Sequence, residues 1–371
     1  MTPEPAAGSV SPTPARLDDD RDRAGSGANA RAGRNAIPAQ RRLADGLALP
    51  VIAAPMFLIS GPELVIACAQ AGIVGSFPAA NCRTVDELAA WLSVITDVIG
   101  DADGATGGAA PWAINLVAHR LNKRLSEDLA LACKHKAPLV ITSLGGPREV
   151  IDAVHSYGGR VFADVVTVEH ARKAAALGVD GLVLVAAGAG GHTGSITGFS
   201  FVPAVREFWD GELVLGGGIA TGQGVLAAQA LGADYAYVGT HLIASGESMA
   251  KPAYKEMLVA SSAADVMVTD AFTGIRNSML RPSVVAAGLD PENIPPSERG
   301  AINFDDPHKG AKAWRDIWGA GQGVGSIRAV APVSALVEEL RRGYVQGVRQ
   351  LDRSSRRIAS DGANHADQDP R

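Results

Sequence analysis

The sequence is poor in cysteine and has no long apolar run, and each absence excludes a class of protein. Its three cysteines, Cys68, Cys82 and Cys133, form no Cys-x-x-Cys pair, so a zinc site and a disulfide framework are both unsupported. No apolar run reaches the roughly 18 residues that cross a bilayer, and the N-terminus lacks the basic-then-apolar order of a signal peptide. We therefore expect a cytoplasmic protein with no metal ion and no membrane partner.

The sequence also lacks an excess of positive charge. Its formal net charge is −5 at pH 7, so it offers no basic field to a phosphate backbone, and we expect no nucleic-acid partner. Aromatic residues are few, at 5%, whereas the 43 glycines are many and gather at the ends of apolar runs. Because glycine lets the backbone come close to a ligand, this distribution indicates a binding site for a small molecule.

The two ends of the chain contain little that could form a core. Residues 1–42 mix Pro, Ala, Gly, Ser, Arg and a run of Asp with almost no large apolar side chain, so burial cannot offset their loss of chain entropy. Residues 352–371 have a similar composition. We predict that both tails are disordered and that residues 43–351 form one domain, which is long enough for a (β/α)8 barrel of about 250 residues.

Within residues 43–351, eight short apolar runs alternate with amphipathic stretches. The runs predicted as strands are 49–54, 73–77, 112–116, 139–143, 160–165, 181–186, 213–217 and 235–239. Apolar residues recur at helical spacing in 63–71, 85–99, 123–136, 168–177 and 223–231. Apolar strands without alternation, each followed by a helix, indicate a parallel sheet that is buried on both faces.

A weak internal repeat favours closure of this sheet into a barrel. Residues 175–180, Ala-Ala-Leu-Gly-Val-Asp, match residues 229–234, Gln-Ala-Leu-Gly-Ala-Asp, and each copy joins a helix end to the next strand. Equivalent βα units suit a closed TIM barrel better than an open doubly wound sheet. After the eighth strand, residues 252–307 are rich in Pro, Gly and Asn; we predict an inserted lid lobe there and a final helix over 333–346.

Two glycine-rich segments, residues 216–222 and Gly239-Thr240, follow the seventh and eighth predicted strands. Their N–H groups and the next helix N-terminus can bind a phosphate, the usual cofactor anchor of a TIM barrel. The first segment also resembles a Rossmann fingerprint, with Asp234 as its acidic residue. Asp234 precedes a strand, however, whereas the acidic residue of a Rossmann fold closes one. We therefore favour the barrel site, and glycines needed only for a tight turn stay a further interpretation.

A third glycine-rich segment, residues 187–194, follows the sixth predicted strand and contains His192. Little side-chain bulk surrounds this histidine, so a flat ring can lie against the backbone beside it. The C-terminal end of a barrel strand is also where TIM-barrel enzymes keep their catalytic residues. We predict that His192 is catalytic. The other histidines have no such setting, except that His241, which follows Gly239-Thr240, stays ambiguous.

Five motifs, in this order, make the sequence resemble a known family. They are Ala54-Pro55-Met56, Asn115, Gly190-Gly191-His192-Thr193-Gly194, Gly217-Gly218-Ile219-Ala220 with Gly239-Thr240, and Trp-Gly-Ala-Gly-Gln-Gly-Val-Gly over 318–325. From about residue 50 to 327 the chain is similar to the nitronate monooxygenases, formerly called 2-nitropropane dioxygenases, which are FMN-dependent TIM barrels. Two departures concern the substrate: residues 186–189 replace the Gln-Gly-x-Glu of many members, and residues 269–274 belong to a variant subgroup.

The resemblance implies a role for each site residue. It implies that Ala54, Pro55 and Met56 lie against the flavin, that Asn115, Ser143 and Asp164 contact its ring or ribityl chain, and that Gly191 lines the pocket. It further implies that Gly217, Gly218, Gly239 and Thr240 hold the FMN phosphate and that His192 is the catalytic histidine. From the residues alone, Ala54-Pro55-Met56 also fits an ordinary strand-to-loop turn, and Asn115 and Asp164 equally fit local caps.

The activity implied by the resemblance is oxidation of alkyl nitronates or nitroalkanes by O2, which yields a carbonyl compound and nitrite. The flavin supplies the electron chemistry, and His192 either removes the α-proton of a nitroalkane or, as imidazolium, holds the nitro oxygens. The alternative is an NAD(P)H-dependent quinone or enoyl-thioester reductase, because these flavoenzymes resemble the glycine-histidine segment too. No nicotinamide site is identifiable, so we favour the oxidation; a flavin-binding protein without activity is the third hypothesis.

Overall fold

A computed structural model of the protein describes residue 43 and residues 46–100, 108–145, 148–294 and 316–366, with side chains up to residue 358. The predicted disorder of residues 1–42 and 367–371 lies outside these ranges, and so do residues 295–307 of the predicted lid lobe. Within the described ranges, no helix is both long enough and apolar enough to span a membrane.

Eleven strands are described, and eight of them form a parallel barrel. In chain order they are β1 (Val51–Ala53), β2 (Gly75–Pro78), β3 (Trp112–Val117), β4 (Leu139–Ser143), β5 (Arg160–Val165), β6 (Gly181–Val185), β7 (Gly191–His192), β8 (Glu212–Gly216), β9 (Tyr235–Val238), β10 (Val266–Thr269) and β11 (Asn277–Leu280). The barrel order is β1-β9-β8-β6-β5-β4-β3-β2. The ring closes where Ala53 N donates to Val74 O at 2.8 Å beside a parallel bridge from Ile52 to Val74. The predicted TIM barrel is therefore confirmed.

The helices alternate with the barrel strands. They are α1 (Pro62–Gln70), α2 (Val85–Ile99), α3 (Leu125–Lys134), α4 (Arg148–His155), α5 (Val168–Leu177), α6 (Gly198–Arg206), α7 (Gly222–Leu231), α8 (Thr240–Ile243), α9 (Pro252–Ala260), α10 (Arg281–Ala286) and α11 (Val333–Ala366). Threonine caps begin three of them: Thr84, Thr167 and Thr221 each accept the N–H of the residue three positions later at 3.1 Å. Because Thr221 caps α7, this helix starts directly behind the glycine-rich segment after β8.

The barrel strands bury apolar side chains on both faces. Ile52, Ile141 and Val214 point into the barrel interior and are fully buried. Their neighbours in sequence, such as Val51 and Val140, belong instead to the core between strands and helices. Each such side chain contributes about 1.5–3 kcal/mol when it is fully buried. The two cores explain why these strands show no alternation with polar residues.

The predicted lid lobe is more regular than its composition suggested. Its described part contains α9, β10, β11 and α10. β11 pairs antiparallel with both β10 and β7, which gives a second sheet in the order β10-β11-β7. The sequence analysis missed this sheet because its strands are only two to four residues long, too short for a period to be recognised. The second sheet attaches the lobe to the segment that contains His192.

The last helix corrects a prediction. We expected a helix over 333–346 and a disordered tail from 352, but α11 continues to Ala366. Its sequence contains no proline after Pro332 until Pro370, and Arg356 pairs with Asp352 one turn earlier at 2.9 Å, an arrangement that supports a helix. The polar composition thus reflects a solvent-exposed helix rather than an irregular chain.

α11 also packs directly against α7. A Cβ added at Gly222 would lie 2.0 Å from Leu340 O and 2.2 Å from Tyr344 N. Only glycine permits this approach of two helix backbones. The Tyr344 hydroxyl group donates to Gln229 Oε1 at 2.5 Å in the same interface, so the helix behind the glycine segment is fixed by residues more than 100 positions later.

Candidate active site

A cavity of about 970 Å³ lies at the C-terminal ends of the barrel strands. It is lined by every residue that the sequence analysis assigned to the site: Ala54, Pro55, Met56, Asn115, Ser143, Asp164, Gly191, His192, Gly217, Gly218, Gly239 and Thr240. These residues are far apart in sequence, and they meet because the carboxyl ends of parallel strands share one rim of a barrel. The volume is near the upper end of the roughly 300–1,000 Å³ typical of ligand pockets.

The loop after β1 presents Ala54, Pro55 and Met56 to the cavity, and a residue that the sequence analysis missed holds it. Asn81 is buried, and its Nδ2 donates to Met56 O at 3.1 Å and to Ser60 O at 2.7 Å. Its Oδ1 accepts from Leu58 N at 2.7 Å, which supports the left-handed φ of 60° at Leu58. An Asn shortly after a buried strand was the available signal for this role.

The segment after β8 forms a cradle of backbone. Gly217 and Gly218 have φ values of 141° and 69°, which favour glycine. A Cβ at Gly217 would lie 2.8 Å from Ala187 O, whereas a Cβ at Gly218 would meet no atom closer than 3.9 Å. Gly218 therefore faces the open cavity, and α7 begins just beyond it, so its N-terminal N–H groups favour an anion here.

The segment around Gly321 contacts both the loop after β6 and the loop after β9 and holds them together. Gly321 N donates to Thr240 Oγ1 at 2.8 Å, and because that oxygen accepts, the hydroxyl proton of Thr240 stays available for a ligand. A Cβ at Gly321 would lie 2.7 Å from Gly188 O, and one at Gly190 would lie 2.6 Å from Gly321 N. The sequence analysis recognised 318–325 as a motif, and the structure adds that it clamps the loops after β6 and β9.

His192 lies on β7, and its ring is largely shielded from water. Burial lowers the pKa of His192 to about 4, because desolvation disfavours the charged imidazolium. The next residue anchors the strand: Thr193 Oγ1 donates to Ala186 O at 3.2 Å, and Thr193 N donates to Arg276 O at 3.1 Å. The structure thus presents a neutral imidazole to the cavity at pH 7.

Polar side chains from β3, β4, β5 and β9 form the floor of the cavity. Asn115 Nδ2 donates to Ile141 O and to Ser143 Oγ, both at 3.1 Å, so Asn115 bonds to the neighbouring strand β4 rather than capping its own segment. Burial raises the pKa of Asp164 to about 7, and Asp164 Oδ1 has no hydrogen-bond partner among the described residues. Tyr237, which the sequence analysis missed, is also buried here, with no described partner for its hydroxyl group.

Aromatic residues of the lobe and of the segment after it form one wall of the cavity. Tyr254 and Trp318 stack with ring centroids 4.9 Å apart and an interplanar angle of 14°. The Tyr254 hydroxyl group donates to Gly319 O, which fixes the stack in place. Phe272 adds a third ring to the lining. The cavity therefore offers a polar floor and an aromatic wall to whatever it binds.

Two features of this cavity fit a flavin. Backbone at Gly217 and Gly218 forms a cradle suited to a phosphate, and buried polar atoms of Asp164 and Tyr237 without described partners suit the polar part of a bound cofactor. A metal ion has no comparable arrangement: within the described ranges, no cluster of three or more His, Cys, Asp or Glu side chains could hold one.

The chain is similar to several known proteins. A nitroalkane oxidase from Streptomyces ansochromogenes matches with a TM-score of 0.70 and 26% identity, over 83% of this chain and 99% of that one. A variant of FabK from Thermotoga maritima matches with a TM-score of 0.66 and 25% identity, over 82% and 95%. A curated Mycobacterium tuberculosis protein, (3aS,4S,5R,7aS)-5-hydroxy-7a-methyl-1-oxo-octahydro-1H-indene-4-carboxyl-CoA dehydrogenase, is 27% identical over 243 residues. The chain spans 65% of that relative's length.

A family model matches nearly the whole described barrel. The model is that of nitronate monooxygenase, and it covers residues 42–343, a range that includes all the site residues named above. The chain therefore belongs to the nitronate monooxygenase family of flavin-dependent oxidoreductases, which act on small-molecule substrates.

Proposed function

We propose that this enzyme binds FMN and oxidises alkyl nitronates or nitroalkanes with O2, which yields a carbonyl compound and nitrite. The observation that carries the proposal is a single cavity lined by the glycine cradle, the polar floor and a neutral His192. The likeness to a nitroalkane oxidase supports the same chemistry. When bound, the flavin would accept the electrons that the substrate loses.

Different residues around the cavity would bind different parts of the cofactor. Gly217, Gly218, Gly239 and Thr240 would hold the phosphate, because N–H groups, a hydroxyl proton and the N-terminus of α7 all favour an anion there. Ala54, Pro55 and Met56 would lie against the flavin ring. Asn115, Ser143 and Asp164 would bind the polar part of the cofactor, and Gly191 would leave room beside His192.

The neutral state of His192 supports one of the two roles that the sequence left open. With a pKa of about 4, the ring is uncharged at pH 7, so it can accept a proton but does not act as a cation for the nitro oxygens. We propose that His192 removes the α-proton of a neutral nitroalkane. Burial also keeps competing water away from the ring.

The identity of the cofactor is directly testable. We expect the purified protein to be yellow and to release FMN, rather than FAD, when it is denatured. The glycine cradle accounts for one phosphate, and FMN carries one. Chromatography of the released flavin against FMN and FAD standards checks this, and recovery of FAD would contradict the phosphate-site assignment.

The second candidate is an NAD(P)H-dependent reductase, and the likeness to FabK and to a carboxyl-CoA dehydrogenase favours it. Anaerobic mixing of the holoenzyme with NADH or NADPH separates the two. We expect slow or no bleaching of the flavin absorbance by either nicotinamide and rapid bleaching by a nitronate, which serves as the positive control. Rapid bleaching by NADH or NADPH would instead support the reductase.

We also propose a cytoplasmic location. All three cysteines are free, and Cys68 and Cys82 are buried among apolar side chains, as expected of a protein that folds under reducing conditions. The proposed partners are the small-molecule substrate and O2.

A further inference from the structure

Two leucines that line the cavity have a left-handed backbone. Leu58 and Leu144 have φ values of 60° and 61°, a region that a residue with a large side chain rarely adopts. Among the residues that the structure describes, one other non-glycine residue, Lys136, has a positive φ, of 44°. It follows the end of α3, where a left-handed residue is common. The two leucines have no such explanation, and strained residues of this kind cluster at functional sites.

The loop after β3 fixes the backbone on both sides of Leu144. Ala118 N donates to Ser143 O at 2.9 Å. On the other side, a Cβ added at Gly145 would lie 1.7 Å from Ala118 O, so the two loops touch through their backbones. Leu144 lies between these two contacts, and its side chain lines the cavity while it remains 38% exposed.

Leu58 lies in a loop that is attached to another exposed apolar residue. Asn81 fixes the backbone N–H of Leu58, and Met249 N donates to Ile59 O at 2.9 Å. Met249 lines the cavity too and is 44% exposed. Three apolar side chains from separate parts of the barrel rim therefore line the cavity where it opens to solvent. We call Leu58, Leu144 and Met249 the apolar mouth.

We propose that the apolar mouth binds an extended alkyl chain, so that the enzyme prefers a nitroalkane or nitronate with a chain of several carbons over nitroethane. This inference rests on the proposed function, because it names the substrate class of the same cavity. Glycine would fit the backbone at 58 and 144 better than leucine does, so the side chains themselves account for leucine there. Apolar side chains at an opening are stabilised when an apolar ligand covers them.

The size of the cavity is consistent with this substrate class. Its volume of about 970 Å³ is near the upper end of the range for a single ligand, so an alkyl chain can lie beside the cofactor. The aromatic wall formed by Tyr254, Trp318 and Phe272 extends the apolar surface that the chain would contact.

The first test is the dependence of turnover on chain length in the parent holoenzyme. We expect kcat/KM, measured by nitrite release, to rise from nitroethane through 1-nitropropane and 1-nitrobutane to 1-nitrohexane. The gain should be about fourfold per methylene, which corresponds to the burial of one CH2 group. A series that is flat, or that falls with chain length, would show that the mouth does not bind the chain.

Leu144→Gly removes one side chain of the mouth without straining the backbone. Because glycine adopts the left-handed region readily, the melting temperature should stay within a few degrees of the parent's. The gain per methylene should drop to about twofold or less, and kcat/KM for 1-nitrohexane should fall by roughly 10-fold. Lys136→Gly is the matched control, since it makes the same change at a left-handed residue outside the cavity lining, and it should keep the parent's dependence on chain length.

A structural role for Leu144 predicts a different result, in which stability falls and all nitroalkanes lose the same factor. A folded Leu144→Gly variant with the parent's gain per methylene would contradict the proposal. If this variant does not fold, Leu58→Gly decides by the same criterion, because Leu58 lies in a different loop with nearly the same φ.

A binding experiment separates this proposal from the proposed function. Straight-chain carboxylates from propionate to octanoate resemble a nitronate in shape and charge but contain no nitro group, and their Kd for the holoenzyme can be measured by calorimetry. Suppose Kd falls with chain length in the parent but not in Leu144→Gly, while nitroalkanes are not turned over. The apolar mouth then stands and the nitronate chemistry fails. If neither Kd nor kcat/KM depends on chain length, the apolar mouth is wrong whatever the activity.

Discussion

Replacement of His192 with Asn is expected to leave a folded, flavin-loaded enzyme whose turnover of a neutral nitroalkane falls by roughly 10²–10⁴, the usual contribution of a positioned general base. Asn retains a similar size and can form hydrogen bonds, but it cannot take a proton. The loss should therefore appear in kcat and kcat/KM for the nitroalkane, measured by nitrite release or oxygen consumption.

The preformed nitronate provides the internal control for this variant. It has already lost its α-proton, so its oxidation should be reduced much less than that of the nitroalkane. Equal losses for both forms would show that His192 orients or polarises the substrate rather than deprotonating it. Unchanged turnover of both would remove His192 from the mechanism and favour the reductase.

Gly218→Asp is expected to abolish flavin retention without unfolding the barrel. A side chain at Gly218 would enter the open cavity, since no atom lies within 3.9 Å of the added Cβ. The left-handed φ of 69° is one that Asp tolerates better than most residues. The carboxylate would then face the bound phosphate, and two negative charges about 4 Å apart repel by about 4 kcal/mol at an effective dielectric constant of 20.

Two variants make the measurement specific, with the flavin-to-protein absorbance ratio and circular dichroism as readouts. Gly218→Asn has nearly the same shape without the charge, so it should retain more flavin than Gly218→Asp. Gly288→Asp adds the same residue at another glycine with positive φ and open surroundings, outside the cavity lining, and should keep the full flavin content. A folded Gly218→Asp variant that retains flavin would show that the phosphate binds elsewhere.

The barrel and most of the cavity follow from local sequence signals. Runs such as 139–143 and 160–165 are apolar on both faces, and a parallel sheet between helices is the structure that buries both. Glycines that follow a strand, such as Gly217 and Gly218, mark positions where a backbone conformation or a close approach favours glycine. These signals lie within a few residues of each other in sequence, which is why they could be interpreted without a structure.

The residues that were missed depend on contacts between distant segments. Asn81 acts on a loop about 25 residues earlier, and Asn277 is brought opposite His192 by a strand pairing across 85 residues of sequence. Gly222 had suggested part of a nucleotide fingerprint, yet its close contact is with the backbone of α11. Neither an Asn nor a Gly in a sequence indicates which distant residue it will contact. For the same reason the polar end of α11 was predicted as a tail.

The packing of α11 on α7 makes the support of the glycine cradle depend on residues synthesised much later. The cradle after β8 is synthesised early, but the helix behind it contacts Leu340 and Tyr344, and the Thr240 side chain is fixed by Gly321. Because contacts between distant residues form only after the intervening chain is available, a nascent chain that has not reached about residue 344 contains every glycine of the cradle and still lacks the contacts that support them. The cradle is thus among the first parts of the barrel rim to be synthesised after β8 and among the last to be stabilised.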